Sequence, residues 1–192
     1  MIILGVDPGT LVTGFGVIEA ERGTYSVLTY TIVKNSGTLS MPIRLKRIYD
    51  RLCEIINQYH PDEFAIETAF YGKNVQSALK IGHARGVSIL AAVNYEIPTT
   101  EYSPREVKKA VTGNGAASKQ QVQFMVQNQL KLRETPKYFD ASDALAVALC
   151  HSFRIMSGKA TYHRHTRRMA SNAHRKWSDF IHMHPDRVVR KK

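Results

Sequence analysis

Two short apolar runs in this chain each end on an acid: Ile2-Ile3-Leu4-Gly5-Val6 runs into Asp7, and Phe64-Ala65-Ile66 runs into Glu67. Continuous apolar runs of this length suit strands buried on both faces, so both belong inside a sheet covered by helices. A carboxylate is costly to bury there, and each acid is therefore expected where its strand emerges toward solvent. Asp140 and Asp143 stand three residues apart in a run rich in alanine, which puts both on one face of a helix. Gathered together, four carboxylates repel and raise one another's pKa values, whereas Mg²⁺ supplies positive charge and takes oxygen ligands readily. The pattern points to a divalent-metal site of the kind that works on phosphodiesters.

The rest of the chain supplies the fold around these acids. Residues 2–6, 14–20 and 25–33 read as three antiparallel strands, with turns at Pro8-Gly9 and Glu21-Arg22-Gly23. An amphipathic helix is expected over 42–58, where Leu45, Ile48, Tyr49, Leu52, Ile55 and Ile56 repeat at helical spacing before Pro61-Asp62 stops it. The run 64–67 is a buried parallel strand. Residues 74–95 are helical and rich in small side chains, which suits either a central core helix or a helix that also makes a twofold contact. A strand over 97–102 and helices over 104–111, 118–132 and 140–153 complete the order β-β-β-α-β-α-β-α-α-α. That order predicts an α/β fold: a mixed five-stranded sheet, three antiparallel strands then two parallel, flanked by helices on both faces.

Charge divides the chain. Met1 to Cys150 carries 16 basic and 14 acidic residues, while His151 to Lys192 carries 11 basic and 2 acidic, so most of the net +11 lies at the C-terminal end. We expect a nuclease domain over 1–153 and a basic, flexible tail over 154–192 that gains affinity for polyanions by releasing counterions. The tail histidines His163, His165, His174, His182 and His184 follow basic composition rather than metal-ligand spacing. Cys53 and Cys150 sit in apolar stretches without a CxxC or Cys/His pattern, which predicts buried, reduced thiols. No apolar run reaches the roughly 20 residues that span a bilayer, and a cytoplasmic protein without membrane contact is expected.

Gly5-Val6-Asp7-Pro8-Gly9-Thr10 followed by Thr13-Gly14-Phe15-Gly16 suits two machines. A sugar-kinase or actin-like ATPase would bind nucleotide phosphate there, and a ribonuclease H-like nuclease would bind catalytic metal. The ATPase needs a second large domain; the nuclease needs only more carboxylates, which Glu67, Asp140 and Asp143 provide. Taken singly, Asp7 also suits a turn cap and Asp140 the N-cap of the last helix. Asp143, one turn into a helix otherwise fit for burial, has no such plain explanation.

With these residues in place, the chain resembles the RuvC family of bacterial crossover junction endodeoxyribonucleases. The markers run in order from Gly5-Val6-Asp7-Pro8-Gly9 through Ala65-Ile66-Glu67, Phe70, Lys73 and Asn74 to Ser77-Ala78-Leu79-Lys80 and Ala84-Arg85-Gly86. They continue with Tyr102, Val107-Lys108-Lys109, Val111-Thr112-Gly113, Gly115, Lys119, Val122-Gln123 and Asp140-Ala141-Ser142-Asp143-Ala144. The departures are Thr68-Ala69 and Tyr71-Gly72 around Phe70, and a tail beyond Phe153 longer and more basic than expected of the family.

The resemblance implies symmetric nicking of two like-polarity strands at a four-way junction, leaving 5′-phosphate and 3′-hydroxyl ends in recombination and repair. It implies two Mg²⁺ ions per site, with Mn²⁺ able to substitute, held by Asp7, Glu67, Asp140 and Asp143. It places Lys108 and Lys119 against the DNA backbone and stacks Phe70 on a base at the opened crossover, a contact worth roughly 1–3 kcal/mol. It further implies a homodimer through the 74–95 helix and cooperation with the RuvA and RuvB branch-migration proteins. Two other readings keep the same acids: a nuclease acting on RNA or RNA/DNA hybrid, and a junction-binding protein that does not cut.

Overall fold

A computed structural model of the chain describes residues 1–68 and 75–158. Phe70 and residues 159–192, the bulk of the expected tail with its five histidines, lie outside the described residues, whereas residues 154–156 continue the last helix. The strands are β1 (Ile2–Asp7), β2 (Val12–Glu21), β3 (Thr24–Lys34), β4 (Glu63–Glu67) and β5 (Thr99–Tyr102). They form one sheet in the order β3-β2-β1-β4-β5. The first three pair antiparallel and β1, β4 and β5 pair parallel, as the sequence predicts. The helices are α1 (Met41–Tyr59), α2 (Val75–Asn94), α3 (Pro104–Thr112), α4 (Lys119–Gln129) and α5 (Phe139–Met156).

Alternation along the strands divides the core between two faces. Leu4, Val6, Phe15, Val17, Phe64 and Ile66 point to the side covered by α1 and α2. Ile3, Ile18, Ala65 and Tyr102 point to the side covered by α3, α4 and α5. On the second side α5 is nearly enveloped, with an unbroken buried run from Ala144 to Ser152.

Helix α5 can lie this close because the strands beneath it carry glycine. Gly5 pairs with Gly16 across β1 and β2, and Asp7 pairs with Gly14. A side chain at Gly5 would strike the Ala144 carbonyl and Ala148, and one at Gly14 would strike the Asp140 carbonyl. A Cβ at Gly16 would lie 2.8 Å from the Leu145 amide nitrogen. Three glycines thus make a groove that seats the backbone of α5, and Gly14 seats its first turn beside Asp7.

Two elements are shorter than the sequence predicts. Strand β5 begins at Thr99, because the Glu96 and Ile97 amides turn back to the Val93 and Ala92 carbonyls and finish α2. Helix α4 stops at Gln129 because the Lys131 and Leu132 amides bond the Asn128 and Gln127 carbonyls in the same way. Both ends turn on a left-handed residue that is not glycine, Glu96 at φ 57° and Lys131 at φ 50°. Among the described residues, no helix is long and apolar enough to cross a membrane.

Candidate active site

The strand register brings the first two acids together. In the parallel β1–β4 pair, Val6 lies opposite Ile66, so Asp7 and Glu67 leave the sheet side by side one residue later. Both point to the α5 face, by the same alternation that puts Ile3 and Ala65 there. The first turn of α5 then delivers Asp140 and Asp143 above them. The N-cap of α5 is Tyr138, with no side-chain cap bond, so Asp140 does not serve as the cap its position also suited. Gln123 helps fix this turn, since its amide donates to the Pro136 carbonyl at 2.9 Å and lies 3.2 Å from Ser142 Oγ.

Burial first, and mutual repulsion second, raise the pKa values of Asp7 and Glu67. Burial raises Asp7 from the ordinary carboxylate range to about 7, repulsion from Asp143 and Asp140 adds to the rise, and Lys119 partly offsets it. Burial likewise pushes Glu67 to about 8, with Asp7 and Asp143 adding and Lys119 and Lys108 opposing. Asp143 is also raised by burial, against the hydrogen bond and charge of Lys119. Burial works against the Lys119 ammonium, but its bond to Asp143 and the nearby carboxylate charges outweigh that and raise its pKa.

The two lysines named from sequence are both brought to the acids. Lys119 opens α4 behind the Ser118–Gln121 capping box and places Nζ 2.8 Å from Asp143 Oδ2. Lys108 lies on α3 close enough to lower the pKa values of Glu67 and Asp143. Sequence reasoning passed over Arg105 and took Lys109 only as a family marker. Together they border an open notch with Gly113, Asn114 and Gly115. At helical spacing Arg105, Lys108 and Lys109 fall within about 100° of one another, so α3 carries one basic face continuous with the site.

The donor set fits a hard divalent cation. All four candidates are carboxylates, and oxygen-only sites suit Mg²⁺ or Mn²⁺. Among the described residues, no three acids, histidines or cysteines close to the spacing of a metal cage. Lys119 provides local positive charge beside Asp143.

The family model of the crossover junction endodeoxyribonuclease RuvC matches residues 3–151, well over half the chain. The chain belongs to the RuvC family. RuvC of Desulforamulus reducens is 51% identical over 152 residues, 79% of this chain and 93% of that protein. RuvC of Chloroherpeton thalassium is 45% identical over 190 residues, covering 99% of this chain and 100% of that protein. The structure described as T. thermophilus RuvC in complex with Holliday junction substrate is 34% identical and superposes with a TM-score of 0.78, covering 83% of this chain and 97% of that one. The Chloroherpeton match corrects one expectation: a tail of this length is shared with another RuvC and does not set this chain apart from the family.

Proposed function

We propose that the chain is a metal-dependent endonuclease that resolves four-way DNA junctions by paired nicks in strands of like polarity, leaving 5′-phosphate and 3′-hydroxyl ends. The observation that carries this reading is the meeting of Asp7 and Glu67, at adjacent strand ends, with Asp140 and Asp143, on the first turn of α5, in a chain of the RuvC family. The four carboxylates would hold divalent ions, Mg²⁺ by our reading, with Mn²⁺ able to replace it. When bound, those ions supply the positive charge that activates water and steadies the departing oxygen.

The side chains around the acids have their own tasks. Lys119 holds Asp143 in place and, with Lys108, offers fixed positive charge to a phosphate arriving at the acids. The basic face of α3 gives the flanking DNA backbone further contacts at Arg105 and Lys109. Phe70, three residues past Glu67, is assigned to stacking on a base at the crossover. The basic segment from 154 onward adds sequence-independent affinity.

Two like cuts need two sites related by a twofold axis, and α2 offers a surface for that pairing. Its inner face buries Ala84, Ser88, Ala91 and Ala92. Its outer face leaves Val75, Leu79, Leu90 and Val93 between 53% and 70% exposed. Gly82 and Gly86 fall on that same outer line and have open space in front of them. Ala84, Ala91 and Ala92 thus serve the core, and the outer line is left open for a second contact. A self-complementary stripe with two glycines at its middle suits close approach of a second copy. RuvA and RuvB are the expected branch-migration partners, and the cytoplasm the expected setting.

Cleavage of a labelled mobile four-way junction in Mg²⁺, beside linear duplex, an RNA/DNA hybrid and the Asp7→Asn variant, tests the reading. Paired symmetric nicks lost in the variant, with binding retained, are expected. Cutting of the hybrid alone would place the chain in another ribonuclease H-like branch, and binding without cutting would make it a junction-binding protein.

A further inference from the structure

Glu63, Tyr102 and His151 form a buried polar chain on the face that carries the acids, and the chemistry above uses none of them. His151 is 2% exposed and Tyr102 1%. The Tyr102 hydroxyl lies 2.7 Å from His151 Nδ1, and His151 Nε2 lies 3.4 Å from Glu63 Oε2. One proton arrangement suits both contacts: the phenol donates to Nδ1, and Nε2 keeps its proton toward the carboxylate. Nε2 makes no well-aligned hydrogen bond among the described residues, so its approach to Glu63 is a close polar contact rather than a directed bond. Buried polar groups of this kind rarely add stability over an apolar core of the same volume, so their geometry asks for another reason.

That reason lies in which elements they join. Glu63 opens β4 and Glu67 ends it, both on the α5 face. Asp140 opens α5, and His151 follows eleven residues later, about three turns on and nearly in line. Strand β4 and helix α5 therefore meet through polar groups at both ends: carboxylates that repel at the site, and Glu63 with His151 at the far end. Between these ends Gly5 and Gly16 lie against Ala144, Ala148 and Leu145. That seat sets how closely α5 approaches the sheet, while the polar groups at its two ends bear on its position along β4. Tyr102 ties the far pair back to the site, because its strand pairs with Glu67 and its carbonyl accepts from the Thr68 amide at 2.8 Å.

We infer that Glu63, Tyr102 and His151 are positioning residues, a clamp that fixes α5 along β4 and so sets the gap between the Asp140/Asp143 pair and the Asp7/Glu67 pair. The inference rests on the proposed metal site and names the residues that tune it. A misplacement of about 1 Å far from the chemistry is enough to cost roughly 100-fold in rate.

The test is Mn²⁺ titration of the full chain without DNA, followed by electron paramagnetic resonance, on the unaltered protein and the Asp7→Asn, Tyr102→Phe and His151→Leu variants. Tyr102→Phe removes one oxygen and keeps the ring, so it decides the matter even if His151→Leu does not fold. The clamp predicts Mn²⁺ binding weakened by about tenfold in both clamp variants, comparable to the loss of an outer-shell partner at a metal site. The Mg²⁺ concentration for half-maximal cleavage should rise in parallel, with junction binding in EDTA unchanged. Undiminished Mn²⁺ affinity in folded Tyr102→Phe, with or without a lower melting temperature, would reduce the trio to a structural feature and overturn the clamp. Absence of Asp7-dependent Mn²⁺ binding in the unaltered protein would instead overturn the metal reading on which it rests.

Discussion

Lys119 and Asp143, 24 residues apart, meet at 2.8 Å across the α4–α5 contact, with the lysine side chain 58% exposed and the aspartate 15% exposed. This pairing puts the terminus of an exposed side chain against a largely buried carboxylate beside the other acids. It gives the site a built-in cation and a fixed geometry for one of its acids.

Replacing Lys119 by methionine is therefore expected to act at the chemical step. Loss of a fixed charge of this kind typically lowers the rate by about 100-fold or more. Single-turnover cleavage of prebound junction reads this directly, and a changed binding constant with an unchanged single-turnover rate would assign Lys119 to DNA affinity instead.

The raised carboxylates predict an unusual pH response. Asp7 at about 7 and Glu67 at about 8 bind protons more tightly folded than unfolded. Their contribution to stability is greatest when both are protonated and falls as pH rises from the ordinary carboxylate range to about 8. Without divalent ions the melting temperature should decrease over that window. Mg²⁺ should reverse the trend at the upper end and release protons as it binds. Thermal melts at pH 5.5, 7 and 8.5 with and without Mg²⁺ measure both effects, and a flat profile without the ion would contradict the burial that raises Asp7 and Glu67.

The glycine seat makes a separate claim. Gly14→Ala puts a methyl group into the Asp140 carbonyl, and overpacking of this kind costs roughly 1–3 kcal/mol. Because the displaced turn carries Asp140 and Asp143, cleavage should fall much further than stability does. Urea melts alongside cleavage rates separate the two, and full activity in a folded Gly14→Ala protein would show that α5 need not sit so close.

The outer face of α2 predicts an assembly state. Leu79→Arg should give a monomer by analytical ultracentrifugation that still binds Mn²⁺ but no longer makes paired cuts. A dimer that survives this change would move the twofold contact to another surface.

Local chemistry fixed much of this molecule in advance. Apolar runs ending on Asp7 and Glu67 specify buried parallel strands with acids at their tips, and the Asp140/Asp143 spacing specifies one helical face. Those rules act over a few residues, so the element order, the sheet and the four acids are legible without coordinates. Helix ends were less so, because Glu96 and Lys131 close their helices in a conformation usually marked by glycine. Contacts between distant segments were not legible at all: Lys119 on Asp143, the three glycines under α5, and His151 between Tyr102 and Glu63. Nor does composition say whether the small residues of α2 face inward or out; the same stripe serves a core or a second copy. Each of these depends on which surfaces meet once the sheet twists and the helices settle on it, and only the packed fold makes that choice.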